Sequence, residues 1–529
     1  MKRNFKVWAA LAITATTLAT TGCDKFLDVN ENPNNPLTAT PQAVLAQALN
    51  ATATNFASQY NNYGNWVAAY WGKSGTVNGY NEERTYNYSS LYNQGLWNNT
   101  YDNLYDYQLI EQLSNEQGRP NLAAVAKIMK VYNFQLLVDQ YGDIPYSQAL
   151  NGLQNVLPKY DKAEDIYKDF VVKLTEATTT LATLPTDTRV LANEDIVFGG
   201  GAAAHTSWQR FANTLRLRIL LRMSNVQSLQ AYVTTEMTRL ASAPGGFLTT
   251  DAQVQPGFIQ SEGQQSPFYN RYGVVSSGLA SATERNYVQP TQYIIDQYQN
   301  NGPDPRLTRL YTPATVAPYA NVYRGVVLGE SNIPALGNYA RLRLGGGLLK
   351  AFDQPVPLIL LAESKFLQAE AKLKGFLPGG DAAAKTDYQD GIRASFVYFY
   401  APAPSQRSTT ADQSANAVPN YDLYLTRNAA NPLVNWDVPG TGANAVSKEQ
   451  KIYYQKYLAF NTVESIEAWS EYRRTGYPRI PASIESSSTR PDKLPVRLLY
   501  PQTEIATNLN NIPTGINQFT SKIFWDVVD

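Results

Sequence analysis

One cysteine and one histidine stand among 529 residues. The lone Cys23 excludes any disulfide within the chain, and the lone His205 leaves no second imidazole for a multi-histidine metal site. An excess of either charge is also missing: 44 basic residues face 44 acidic ones. That balance removes the basic footprint of a nucleic-acid binder, so no nucleic-acid partner is expected. After Cys23 no apolar run reaches the roughly twenty residues that a membrane-spanning helix needs. Catalytic signatures are equally sparse. His205 precedes Trp208 in a Gly/Ala-rich stretch, read as a turn, with no nucleophile-elbow sequence. Gly440-Thr441-Gly442-Ala443-Asn444-Ala445 has the letters of a dinucleotide fingerprint, but no strand is expected before it. Phe198-Gly199-Gly200-Gly201 and Gly345-Gly346-Gly347 lack the Lys-Ser/Thr of a phosphate loop. No catalytic residue, metal or cofactor is indicated.

What is present begins at the N-terminus. Lys2, Arg3 and Lys6 precede an uncharged, mostly small and apolar run from Val7 to Thr21, which ends at Gly22-Cys23. The pattern predicts an export signal over residues 1–22. It resembles a bacterial lipoprotein signal, which makes Cys23 the acylated residue and residues 23–40 a lipid tether. The tract Asn30-Glu31-Asn32-Pro33-Asn34-Asn35-Pro36 suits such a tether, since its prolines lack a donor and its asparagines favour turns. No linker cuts the chain beyond it, so residues 41–529 are expected to form a single body.

Aromatics make up 12% of the chain, with 36 Tyr, while charged residues reach only 17%. Such rings offer an apolar face and a hydrogen-bonding edge, which suits amphipathic ligands such as sugars or peptides. The densest run is Asn55 to Tyr92, where Gly72 to Ser90 is expected as loop and therefore as a surface for function.

Helical spacing accounts for most of the remainder. Thr40-Pro41 predicts a helix start; helices follow over 97–113, 122–138 and 163–184, the last closing at Pro185. Gly142 is expected as a left-handed cap of the second. The run Trp208 to Arg222 is apolar nearly all round, so at least one of Arg216, Arg218 and Arg222 needs a buried carboxylate, with Glu363, Glu370, Glu467 and Glu471 as candidates. Residues 226–355 and 399–446 read as irregular excursions, with Ser266 to Tyr272 loop-like and Asp304-Pro305-Arg306 entering a short helix. Leu358 to Lys374 and Asp381 to Phe396 form a helical hairpin of tetratricopeptide-like proportions. Ser447 to Arg474 reads as one long helix ending at Gly476 and Pro478. The expected fold is mainly α: a tetratricopeptide-like helical-pair scaffold with long irregular loop excursions.

Along the chain stand, in order, Cys23 with Phe26-Leu27-Asp28-Val29-Asn30, the Asp139 to Tyr146 turn, the Trp208 to Arg222 helix, Asp304-Pro305-Arg306-Leu307, Ala369 to Gly375, Glu467 to Pro478, and Arg497-Leu498-Leu499-Tyr500-Pro501. Together these segments resemble one family, the SusD/RagB-like nutrient-binding lipoproteins of the Bacteroidetes outer membrane. The resemblance implies helix pairs carrying long ligand-binding loops. It also implies a partner, a SusC-like TonB-dependent outer-membrane barrel over which the lipoprotein closes, and an outer-membrane location through the lipid anchor. Ligands differ between members, so the site is argued physically. Trp66, Trp71 and Tyr80 are the expected ring platforms, with Tyr269, Arg271, Tyr323 and Arg324 as edges from the irregular region. Three functions compete: capture of an oligosaccharide or, alternatively, a peptide; a glycoside hydrolase, which needs two carboxylates flanking a cleft; and a protein-binding scaffold.

Overall fold

The computed structural model describes residues 40–184, 194–279, 281–488 and 493–528. Cys23, the signal run, the tether up to residue 39, and Pro185 lie outside them.

The chain enters through α1 (Pro41–Asn55), where the Thr40 hydroxyl accepts from the Ala43 amide at 3.3 Å and Pro41 occupies the first helical position. Leu45, Ala48, Leu49 and Thr52 are buried, as the spacing predicts. After a π turn (Phe56–Tyr60) come α2 (Asn61–Val67), β1 (Trp71–Lys73) and the short α3 (Asn81–Thr85). Two long helices, α4 (Gly95–Glu116) and α5 (Pro120–Tyr141), then pack as a hairpin, and α1 lies against α4. All of α5 except Pro120, Lys127 and Lys130 is buried, because the helix is apolar around its circumference.

At its end, Gly142 combines φ 75° with ψ −122°, so it caps from outside the left-handed helical region that the sequence suggests. A Cβ there would meet the Arg497 guanidinium at 3.1 Å. The turn Asp143 to Asp161 carries β2 (Ile144–Pro145) paired antiparallel with β3 (Tyr160–Asp161). Helices α6 (Ala163–Thr183) and α7 (Ala202–Met223) continue the array, with α6 packed on α5 and on α7. His205 lies within α7 rather than in a preceding turn.

The first excursion is more ordered than its composition suggests. It contains α8 (Gln230–Ala241), β4 (Ala252–Val254), α9 (Pro267–Tyr272), β5 (Val288–Pro290), α10 (Gln292–Gln299), α11 (Leu307–Leu310), β6 (Tyr311–Thr312) and β7 (Arg341–Leu342). Ser266 to Tyr272, expected as loop, is therefore largely helical. β1 pairs with β5 and β6 with β7, while β4 pairs with β8 (Val356–Ile359). Leu358 accordingly lies in a strand, and the hairpin helix begins later, as α12 (Leu361–Leu373) followed by α13 (Gly380–Tyr400). The second excursion contains α14 (Ala417–Arg427), which packs on α13.

The long helix expected over 447–474 is two helices, α15 (Lys448–Phe460) and α16 (Ser465–Thr475). Asn461 and Thr462 break it. The buried Asn461 amide donates to the Tyr298 and Tyr311 hydroxyls at 3.1 and 2.8 Å, and Thr462 takes φ 71°. Gly476 then ends α16 in the left-handed conformation, as predicted. Gly64 of α2 lies so close to α16 that a Cβ would come 2.4 Å from the Ile466 amide, which is how the two helices meet. The chain closes with α17 (Gln502–Asn508). Helix packed on helix, with few and short strands, is the mainly α, tetratricopeptide-like scaffold expected, and one continuous apolar cluster runs through it from Leu45 to Trp525.

Candidate functional site

The motifs that carry the family resemblance converge inside this scaffold. Arg218 of α7 donates from Nε to Glu363 of α12 at 2.7 Å and lies 3.5 Å from Glu467 of α16. Arg222 pairs with both Asp139 and Glu467. Arg474 makes a two-pronged pair with Glu370 at 2.7 Å on each side and also meets Glu471, which accepts from Lys456 at 2.9 Å. Glu370 and Glu471 therefore serve Arg474, not the arginines of α7 to which the sequence assigned them. Arg216 pairs with Glu236 of α8, a partner the sequence reading missed. Burial opposes ionisation of Glu467, yet Arg218 and Arg222 hold its carboxyl down to about 2. Glu467 is thereby held as an ion and has no proton to trade near neutrality. These ion pairs form structural cement, and neither Glu467 nor Glu471 is placed to act as a glycosidase acid.

The seven predicted ligand residues fall into two sets. In the first, Trp66 stacks on Tyr80 with ring centres 4.8 Å apart, and Trp71 meets Tyr272 edge-on at 5.0 Å. Tyr269 and Arg271 belong to α9; Arg271 donates to Glu284 at 2.6 Å and to the Ser58 carbonyl at 3.0 Å. Exposure divides this set. Trp71 is 0% and Trp66 1% exposed, so neither presents a ring face in this structure, whereas Tyr80 and Tyr269 are half-buried. Burial, reinforced by Glu284 and opposed by Arg271, pushes the Tyr80 hydroxyl up to about 12. Most other rings between Tyr60 and Tyr88 are core as well, so this stretch is largely packing rather than platform. Yet the indole N–H groups of Trp66 and Trp71 and the hydroxyls of Tyr63 and Tyr88 have no hydrogen-bond partner among the described residues.

The second set is built around Arg324. Its guanidinium lies over the Tyr319 ring at 4.2 Å and the Tyr339 ring at 4.6 Å, and Tyr323 beside it is half-buried. Short backbone pairings hold this segment: Ala314 donates to Val322 at 2.9 Å, Ala340 to Arg324 at 2.7 Å and Thr315 to Gly337 at 2.8 Å. Residues 319–322 are exposed, and Tyr319 at 37% is among the more open aromatic rings.

One turn, Thr283–Asn286, connects the two sets. Glu284 takes Arg271, Arg285 donates to the Leu342 carbonyl at 2.7 Å, and the Asn286 carbonyl accepts from Thr76 at 2.8 Å. Tyr80, Arg271, Tyr319 and Arg324 thus belong to one fold region, made of the loops around β1, β5, β6 and β7. Tyr319 and Tyr339 were not singled out from sequence. The only signal was an aromatic in the turn-forming stretch Pro318-Tyr319-Ala320-Asn321, which does not reveal its ring partner.

A helical scaffold cemented by buried ion pairs carries the open Tyr319 ring and the half-buried Arg324 guanidinium on loops outside it, with Tyr339 buried behind them, an arrangement expected of the class of binding proteins. Over residues 33–501 the sequence matches the SusD-like family described as starch-binding and associating with the outer membrane, and the chain belongs to that family. Solved structures agree in fold. A chitin-binding protein is 26% identical over 92% of this chain and 100% of its own, with a TM-score of 0.70. A SusD homologue from Bacteroides fragilis NCTC 9343 is 21% identical over 92% and 99%, with a TM-score of 0.71. A chitin-binding SusD homologue from Flavobacterium johnsoniae is 22% identical over 91% and 98%, with a TM-score of 0.68. Among curated proteins none matches. Among the described residues no helix is long and apolar enough to cross a membrane.

Proposed function

We propose that this protein is a surface-exposed, lipid-anchored capture protein that binds a nutrient oligosaccharide and delivers it to a SusC-like TonB-dependent outer-membrane transporter. The observation that carries the reading is the Tyr319–Arg324–Tyr339 stack on the loop face, with Tyr80 and Arg271 in the same region. A sugar ring has an apolar C–H face and a hydroxyl rim, which an open ring beside a multi-donor guanidinium complements. Chitin-binding relatives of the same fold and the family's starch-binding description support a glycan over a peptide. The role is non-enzymatic, since the acidic pairs read as candidates are consumed by arginines. Cys23 is the proposed lipid attachment, residues 23–40 the tether, and residues 41–529 the single body that carries the site.

The test is affinity electrophoresis of the purified protein through gels containing soluble starch or glycol chitin, with reducing-sugar release assayed alongside. Retardation by one glycan without sugar release is expected. Retardation by neither, with peptide binding instead, would favour the peptide reading, and sugar release would overturn the non-enzymatic one.

A further inference from the structure

Helix α4 carries rings that the loop face does not use. Trp97, Tyr101 and Tyr105 recur at every fourth position, so they lie along one side of the helix, advancing roughly 6 Å per step. Trp97 and Tyr101 touch, with centres 5.0 Å apart. Exposure rises along the row, from buried Trp97 through half-buried Tyr101 to Tyr105 at 51%.

The row lines an open cleft of about 680 Å³, whose facing wall is the segment from Ala149 to Pro158. Both sides are held in place. The Tyr101 hydroxyl donates to the Pro145 carbonyl at 2.7 Å, and behind Trp97 the Tyr160 hydroxyl donates to Glu504 at 3.1 Å. Gly152 faces the Tyr105 hydroxyl, so that a Cβ there would come within 3.8 Å of it, and φ 54° reserves the position for a residue that tolerates the left-handed region. Asp102 adds a carboxylate beside the rings, and Asn151 and Asn155, whose amide groups donate to Gln148, add side-chain carbonyls on the facing wall. A graded row of rings with a carboxylate beside it and amide carbonyls opposite suits a ligand with apolar faces and hydroxyl edges repeated along its length. The carboxylates of Asp102 and Glu504 disfavour an anion.

We propose that this cleft is a second oligosaccharide site, distinct from the loop face, that takes a neutral sugar chain with Tyr105 and Tyr101 as its platforms. The proposal rests on the capture reading above, but it assigns a different place to the ligand.

Calorimetric titration of the purified full-length protein with chitohexaose and with maltohexaose tests it. Two classes of site are expected for the oligosaccharide that binds. Tyr105→Ala and Asp102→Ala, both at exposed positions, should weaken one class by roughly tenfold at an unchanged unfolding midpoint. Tyr319→Ala should weaken only the other. Loss of all binding in Tyr105→Ala would also support the cleft, and would move the main site there. A Tyr105→Ala isotherm identical to that of the unaltered protein would overturn the cleft while leaving capture at the loop face intact. Failure of both oligosaccharides to bind the unaltered protein would overturn the capture reading and the cleft together.

Discussion

Arg218 and Arg324 are the same side chain in opposite settings. Arg218 of α7 is buried against α12 and α16, and two carboxylates face it. Arg324 lies between two tyrosine rings on a loop and keeps contact with solvent. In the first setting the charge has lost its hydration, so only a formal countercharge with good geometry makes the position tolerable. In the second, water still solvates the guanidinium and the ring faces add about 0.5–1 kcal/mol, leaving donors available to a ligand. The contrast separates the scaffold from the proposed recognition surface. Burial rather than partner type draws the line: Arg473 lies over Trp469 and Trp525 and is buried, whereas Arg271 pairs with Glu284 and is only half-buried.

The comparison can be broken most easily at its buried end. Arg218→Ala strands Glu363 and half of the Glu467 charge, and a loss of about 3–5 kcal/mol is expected in urea or thermal unfolding. An unchanged midpoint would mean that the pair carries no net stability. Trp71→Ala empties a fully buried site and is expected to cost about 3–5 kcal/mol as well. The sequence alone suggested the reverse, a ring whose loss weakens binding and spares folding. A Trp71→Ala protein with a native midpoint and weakened glycan retention would restore that role.

Glu83 tests the boundary between the regions. Burial pushes its carboxyl up to about 7 from an ordinary 4.5. The folded chain then holds more protons than the unfolded chain between those values, so this group's contribution to stability falls as pH rises through that window. Glu83→Gln is expected to raise the unfolding free energy at pH 8 by about 2–4 kcal/mol and by much less at pH 5. An equal gain at both pH values would show that the effect is not ionisation. The smallest stability change belongs to Arg324→Ala, within about 1 kcal/mol, since a half-buried guanidinium loses its ring contacts and a hydrogen bond with Tyr339. Glycan retention is its expected readout, and a large fall in midpoint would place Arg324 with the cement.

Much of the scaffold was legible because its signals are local. The Thr40-Pro41 start, the apolar spacing of 163–183 and the Gly476 stop each depend on a few neighbouring residues, and each appears where expected. The need of α7's arginines for acids was also legible, since burial of a charge follows from a helix that is apolar all round. Which acids answer was not: Glu236 and Asp139 are remote or inconspicuous in sequence, and Glu370 and Glu471 went to Arg474. The break at Asn461 escaped notice for the same reason, because that amide is satisfied by Tyr298 and Tyr311, more than a hundred residues away.

The sequence by itself determined the helical class, the family and the balance of charge. Those properties reside in composition, in short-range periodicity and in ordered motifs. Tertiary structure alone decided which rings face solvent. A tyrosine or tryptophan reads the same in a core as on a platform, because both uses draw on the same apolar face. Only the neighbours brought by distant segments, such as Tyr272 against Trp71 and Tyr339 against Arg324, determine which face remains open.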